Sequence, residues 1–112
     1  MTTPLPGRRV RGSDTGRPIM ALLDLLGRRW TLRVLWELRD DPRPTFRQLQ
    51  ERCEQVSSSV LSARLRELGE ADLVVHTGEG YLLTAQGRTL LAALAQLDAW
   101  AADWRPRNAE GP

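Results

Sequence analysis

A chain of 112 residues carrying a net charge of +2 has room for one small core and not for two. Its single cysteine, Cys53, excludes an internal disulfide and any cysteine-rich zinc site, and no apolar run approaches the roughly 18 residues that a membrane span needs. The basic residues, all arginine, number eight against three acids in residues 1–39 but three against six in residues 70–112, which is compatible with a polyanion docking on the N-terminal two thirds.

Residues 1–16 hold Arg8, Arg9 and Arg11 among prolines and glycines with little to bury, and are expected to form a flexible basic arm. No apolar leader opens the chain, so a cytoplasmic protein is expected. A folded domain is expected over residues 17–104, followed by a polar tail, 105–112. Its first helix spans Pro18 to Leu26: proline suits a first turn, and Ile19, Leu22, Leu23 and Leu26 share one apolar face before Gly27. A second helix, about Arg28 to Asp40, puts Thr31, Val34, Leu35 and Leu38 on one side, with Trp30 as a core anchor and Trp36 on the opposite side. Prolines 42 and 44 break it. Thr45 then caps a third helix, Phe46 to about Glu54, whose inward positions are Phe46, Leu49 and Cys53; a buried, inert thiol follows.

Residues 57–69 form the pivotal segment. Leu61, Leu65 and Leu68 recur at the spacing of a buried stripe, Ser57 suits the N-cap, Gly69 suits a left-handed stop, and Ser58, Ser59, Ser62 and Arg66 fall on the outer side. A small polar face of this kind fits a DNA major groove, where hydroxyls reach phosphates or base edges and arginine binds guanine with two bonds. Taken alone, those residues also suit an ordinary amphipathic surface helix. The tight Gln55-Val56 link to the preceding helix makes the pair a helix-turn-helix. Residues 73–77 and 81–84 read as two strands joined at Gly78-Glu79-Gly80, the wing of a winged helix. Thr84 caps a last helix, Ala85 to about Trp104, whose stripe of Leu90, Leu94, Leu97, Ala101 and Trp104, widened by Leu91 and Trp100, exceeds what one small domain covers. Self-association through Leu94, Leu97, Trp100, Ala101 and Trp104 is the expected outlet. The fold class is therefore mainly α with a small β-hairpin: a winged helix-turn-helix.

Several segments together resemble the HxlR-type winged-helix transcription regulators. Pro18-Ile19 through Leu26-Gly27-Arg28-Arg29-Trp30 is similar to that family's opening signature, and Phe46-Arg47-Gln48-Leu49 to its "F-x-x-L". Val56 to Leu68 resembles its "I-S-x-x-x-L-(T/S)-x-R-L-(K/R)-x-L", and Tyr81-Leu82-Leu83-Thr84 with Gly87 its "Y-x-L-T-x-x-G". The resemblance implies a homodimer built by N- and C-terminal dimerisation helices, with Ile19 and Leu23 contributed by the first, whose paired recognition helices enter successive major grooves of a pseudo-palindromic operator, with repression the expected outcome. Carried onto this chain, it implies that Ser57, Ser58, Ser59, Ser62 and Arg66 face double-stranded DNA, that Arg64 reaches backbone or braces the helix, and that Arg47 and Gln48 lie near phosphate. Arg17 stands where the family commonly has a cysteine, so thiol sensing is not expected. Glu79 stands at a wing tip where the family has arginine, His76 in another arginine place, and Asp72 in a glycine place.

Two other readings stay open. The acidic wing suits a module that binds protein instead of DNA, and Trp36, Trp100 and Trp104 suit a small aromatic effector. An enzyme is not expected: the lone His76 has no positioned partner, no phosphate loop follows a strand, and no cofactor or metal is implied.

Overall fold

The computed structural model of the chain describes residues 2–40 and 43–107. Five helices and one hairpin follow in order: α1 (Pro18–Leu26), α2 (Thr31–Glu37), α3 (Phe46–Arg52), α4 (Ser58–Glu70), β1 (Val74–Thr77), β2 (Gly80–Leu83) and α5 (Ala85–Ala102). The break expected at Pro42 and the last five residues of the tail, 108–112, lie outside the described residues. Leucine and valine side chains from every element converge on one core, centred on Leu35, Val34, Leu49, Leu61 and Leu68.

The apolar faces explain where each helix sits. In α1 the residues that go inside are Ala21, Leu25 and Leu26, with Leu22 partly covered, while Ile19 and Leu23 point to solvent. The single stripe expected there is thus split in two. The second helix starts later than expected, at Thr31, because Trp30 adopts a left-handed backbone at φ 77 and turns residues 27–30 into a tight link. Bulky side chains rarely occupy that region, at a typical penalty of about 1–3 kcal/mol. Packing of the indole against the core offsets it. Thr31, Val34, Leu35 and Leu38 are buried as the 3.6-residue spacing requires, and Trp36 is half-buried with the Arg39 guanidinium 4.1 Å over its ring.

Residues 2–16, expected as a mobile arm, instead lie along the domain. Thr3 and Pro4 are buried, the Thr3 hydroxyl donates to the Glu70 carboxylate, Arg28 donates to the Thr2 carbonyl at 3.0 Å, and Val10 and Ser13 pair across a turn. Local composition carries no trace of these distant partners. The hairpin is antiparallel, with Val74 opposite Leu83 and Thr77 opposite Gly80, so the connecting loop is only Gly78-Glu79. Gly80, at φ 137, lets that strand approach the carbonyls of Arg43 and Pro44, and Tyr81 N–H donates to the Pro44 carbonyl at 2.9 Å.

Candidate nucleic-acid interface

Two adjacent helix ends create the interface. The Thr45 hydroxyl accepts from Gln48 N–H at 3.1 Å while the Gln48 side-chain oxygen accepts from Thr45 N–H at 2.9 Å, a reciprocal cap that fixes the start of α3. At its other end, Gln55 N–H reaches back to the Gln50 carbonyl at 3.0 Å, with Glu54 and Gln55 both left-handed, and the chain reverses within those two residues. Gln50 Nε2 then donates to the Val56 carbonyl at 2.8 Å and the Ser58 hydroxyl at 3.2 Å, which clamps α3 onto the first turn of α4. Ser57 accepts from Val60 N–H at 3.3 Å and begins the helix as its sequence position predicts.

On α4, Leu61, Leu65 and Leu68 are buried, and Ser58, Ser59, Ser62 and Arg66 are exposed. The helix does not stop at Gly69. It runs to Glu70 and ends on Asp72, at φ 59, where Asp72 and Leu73 N–H return to the Gly69 and Leu68 carbonyls, each at 3.0 Å. Burial of both Leu68 and Leu73 sets that stopping point, and Asp72 stands in the left-handed cap position that glycine would fill without strain. Arg66 is half-tied to Glu70 at 3.4 Å, an exposed pair that a stronger anion can displace. Arg47 is exposed beside Gln48, whose oxygen is occupied by the cap.

Arg64 is largely buried. Its guanidinium donates to Glu67 at 2.9 Å and its Nε is buried without a partner, so it braces the helix from within. Glu67 also accepts from Arg28 at 2.7 Å; the three side chains are only 5% (Glu67), 15% (Arg28) and 19% (Arg64) exposed. This bridge between the 27–30 turn and α4 was not anticipated. The Arg64/Glu67 spacing beside Leu68 was a visible hint, but Arg28 lies too far off in sequence for any local pattern to pair it.

The hairpin tip is electrically closed, since Glu79 pairs with Arg43. His76 is exposed and stacks on Tyr81 with centroids 4.1 Å apart, and among the described residues no cluster of metal-ligating side chains occurs. Cys53 is fully buried, and desolvation, reinforced by Glu37, raises its thiol above the usual range, which suppresses the nucleophilic thiolate. Past the core, α5 carries Leu97 and Trp100 at 60% and 62% exposure, Trp104 just beyond its end is 57% exposed, and Ile19 and Leu23 are more than half exposed on α1. Leu94 is half-buried and Ala101 exposed. Between α2 and α5 lies an open, largely apolar cleft of about 470 Å³ walled by Leu32, Trp36, Leu94, Leu97 and Ala101, with Arg33 and Asp98 also in its lining. Trp100 and Trp104 pack on each other at 5.6 Å.

A short capped helix clamped to an outward-facing second helix, followed by a two-stranded wing, defines a winged helix-turn-helix protein. The profile of the HxlR-like helix-turn-helix family matches residues 25–109, and the chain belongs to that family. It is 38% identical over 111 residues to an uncharacterized HTH-type transcriptional regulator of Mycobacterium tuberculosis strain CDC 1551, a match covering 93% of this chain and 66% of that protein. This chain thus spans slightly less than two thirds of that relative's length. It is also 31% identical over 84 residues to the HTH-type transcriptional regulator YodB of Bacillus subtilis, covering 69% of this chain and 74% of YodB. The crystal structure of quinone-bound YodB superposes with a TM-score of 0.71 at 30% identity, over 77% of this chain and 97% of the YodB chain. The reduced form of YodB gives 0.68 at 29% identity, over 78% and 92% of the two chains.

Proposed function

We propose that this chain is a dimeric, DNA-binding transcription regulator, acting as a repressor, that reads a pseudo-palindromic operator with α4 in the major groove. The outward row of Ser58, Ser59, Ser62 and Arg66 on a helix pinned by three buried leucines carries this reading. Ser57, Arg47 and Gln48 flank that row and Arg64 braces it from inside. The exposed apolar residues Ile19, Leu23, Leu97, Trp100 and Trp104 support a twofold pair, since surface of this size is rarely left open to water in a monomer. Selection of bound sequences from a random duplex pool tests the reading, with two related half-sites about one helical turn or a multiple of it apart as the expected result. Arg66→Ala is expected to weaken the selected duplex by about 1–3 kcal/mol and to relax preference at one base position. A pool that yields no enriched sequence, with no salt-sensitive retention of any duplex, sinks the proposal in favour of a protein-binding module.

A second reading concerns the cleft between α2 and α5. Its apolar walls and the half-buried Trp36 suit a flat aromatic effector, and the quinone bound by YodB shows that a relative takes such a molecule. Trp100, near the end of α5, and Trp104, just past it, would join the site only from farther along the chain. Titration with a non-electrophilic naphthol is expected to quench tryptophan emission to a plateau; a linear decline without saturation removes the effector from the account.

A further inference from the structure

The flank of α4 beside its serine row is bordered by the turn joining α1 to α2. There the two successive arginines part company. Arg28 points inward onto Glu67 and the Thr2 carbonyl, whereas Arg29 is exposed and, among the described residues, has no carboxylate partner; its guanidinium lies 6.0 Å from the neighbouring Trp30 ring. Arg29 is a shared wall of two hollows beside α4. One lies at the helix start, against Gln55, Ser57 and Val60, and the other farther along, against Ala63, Arg64 and Arg66. The second hollow is lined by four arginines, counting Arg28, and by Glu67; Arg28 and Arg64 pair with that carboxylate and Arg66 with Glu70, which leaves Arg29 as the arginine of the hollow without a carboxylate partner among the described residues. The recess is open, keeps a net positive charge after that pairing, and at about 370 Å³ has room for a phosphate group with its ester oxygens.

The wing offers nothing comparable. Its tip carries one carboxylate already paired with one arginine, so it presents no net positive charge to a polyanion. A protein that docks a helix in the major groove still needs backbone contacts to set its register, because those contacts orient the helix while base contacts specify sequence. We infer that Arg29, on the α1–α2 turn, supplies that register contact by holding a DNA backbone phosphate in the recess beside α4, which leaves Arg66 to the bases, so that the turn takes the part a charged wing tip would play. The inference rests on the proposed DNA-binding function. Arg66 then has two environments: paired with Glu70 in the free protein, and released toward DNA when a phosphate enters beside Arg29.

The test measures binding of a selected duplex and of a random duplex over a range of salt concentrations for the wild type, Arg29→Ala and Arg29→Lys. Arg29 is exposed and outside the core, and thermal melting of each variant shows directly that it is folded. Arg29→Ala is expected to weaken both duplexes by the same factor, about threefold to tenfold, and to flatten the slope of log affinity against log salt by about one per protomer, while Arg29→Lys keeps most of both. An unchanged slope and affinity overturns the inference, and so does a loss confined to the selected duplex, which would make Arg29 a base-reading residue. Absence of salt-sensitive binding by the wild type itself brings down the DNA-binding reading and this contact with it.

Discussion

Glu67→Ala is expected to lower the stability of the folded chain by about 3–5 kcal/mol, because it leaves two guanidinium groups in the protein with no counter-charge. Arg28 and Arg64 each reach Glu67 within 3 Å from different directions, and all three are largely withdrawn from water. Arg64 is already under-satisfied, with a buried Nε that lacks an acceptor, so it has no second partner to fall back on. Against total stabilities of about 5–15 kcal/mol for small domains, such a loss is a large fraction. Urea unfolding followed by tryptophan fluorescence checks it, and a loss below about 1 kcal/mol would show that water reaches the arginines and that the bridge is a surface feature. A triple variant, Arg28→Met with Arg64→Leu and Glu67→Met, separates charge from packing: apolar replacement of a buried ionic cluster is often neutral or stabilising, so most of the stability should return. The DNA binding proposed for α4 should not return with it. The bridge sets the rotation of α4 against the 27–30 turn, and that rotation aims Ser59, Ser62 and Arg66 and keeps Arg29 beside them.

That bridge also marks where sequence reasoning stops. The leucine stripe of α4, its Ser57 cap, the Thr45 and Thr84 caps and the hairpin were legible because each is written in residues a few positions apart, where periodicity and capping act. The helix-turn-helix followed from the same local signals. Gly69 misled, since a glycine near a helix end suggests a stop, but burial of Leu73 carried the last turn on to Asp72. The arm misled for the opposite reason: residues 2–16 look unable to bury anything, yet Thr3 and Pro4 find shelter against a surface assembled from distant segments. The split between Arg28 and Arg29 could not be read at all. Two identical neighbours differ only in which one meets a carboxylate 39 residues away. The serine row was therefore visible in the chain, whereas the basic recess that flanks it exists only after α4 has docked on the turn.

Gly87→Ala is expected to destabilise the protein by about 2–3 kcal/mol, although alanine is intrinsically the better helix former by about 1 kcal/mol. Gly87 lies in the first turn of α5, where its N–H donates to the capping Thr84 hydroxyl at 3.0 Å. That hydroxyl in turn donates to the Asp72 carbonyl at 2.6 Å, and Thr84 N–H donates to the Leu73 carbonyl at 3.0 Å. The end of α4, the root of the wing and the start of α5 are thus tied at one point. A methyl group on residue 87 would strike the Leu73 carbonyl oxygen far inside contact distance, and because that oxygen is backbone already engaged by Thr84, no side chain can swing aside to make room. The helix must lift off the hairpin or the Leu73 peptide must turn away from Thr84. Either movement loosens Leu83 and Leu91, which the junction keeps in the core. Thermal and urea unfolding measure the loss; an unchanged or raised midpoint would mean that α5 stands farther from β1 than its glycine implies. Gln86→Ala makes the matched control, because it removes only an exposed hydrogen bond to Asp72 and its effect should stay below about 1 kcal/mol. A large gap between these neighbouring positions would trace the effect to backbone proximity at residue 87, and with it the physical reason why this fold asks for glycine three residues after its capping threonine.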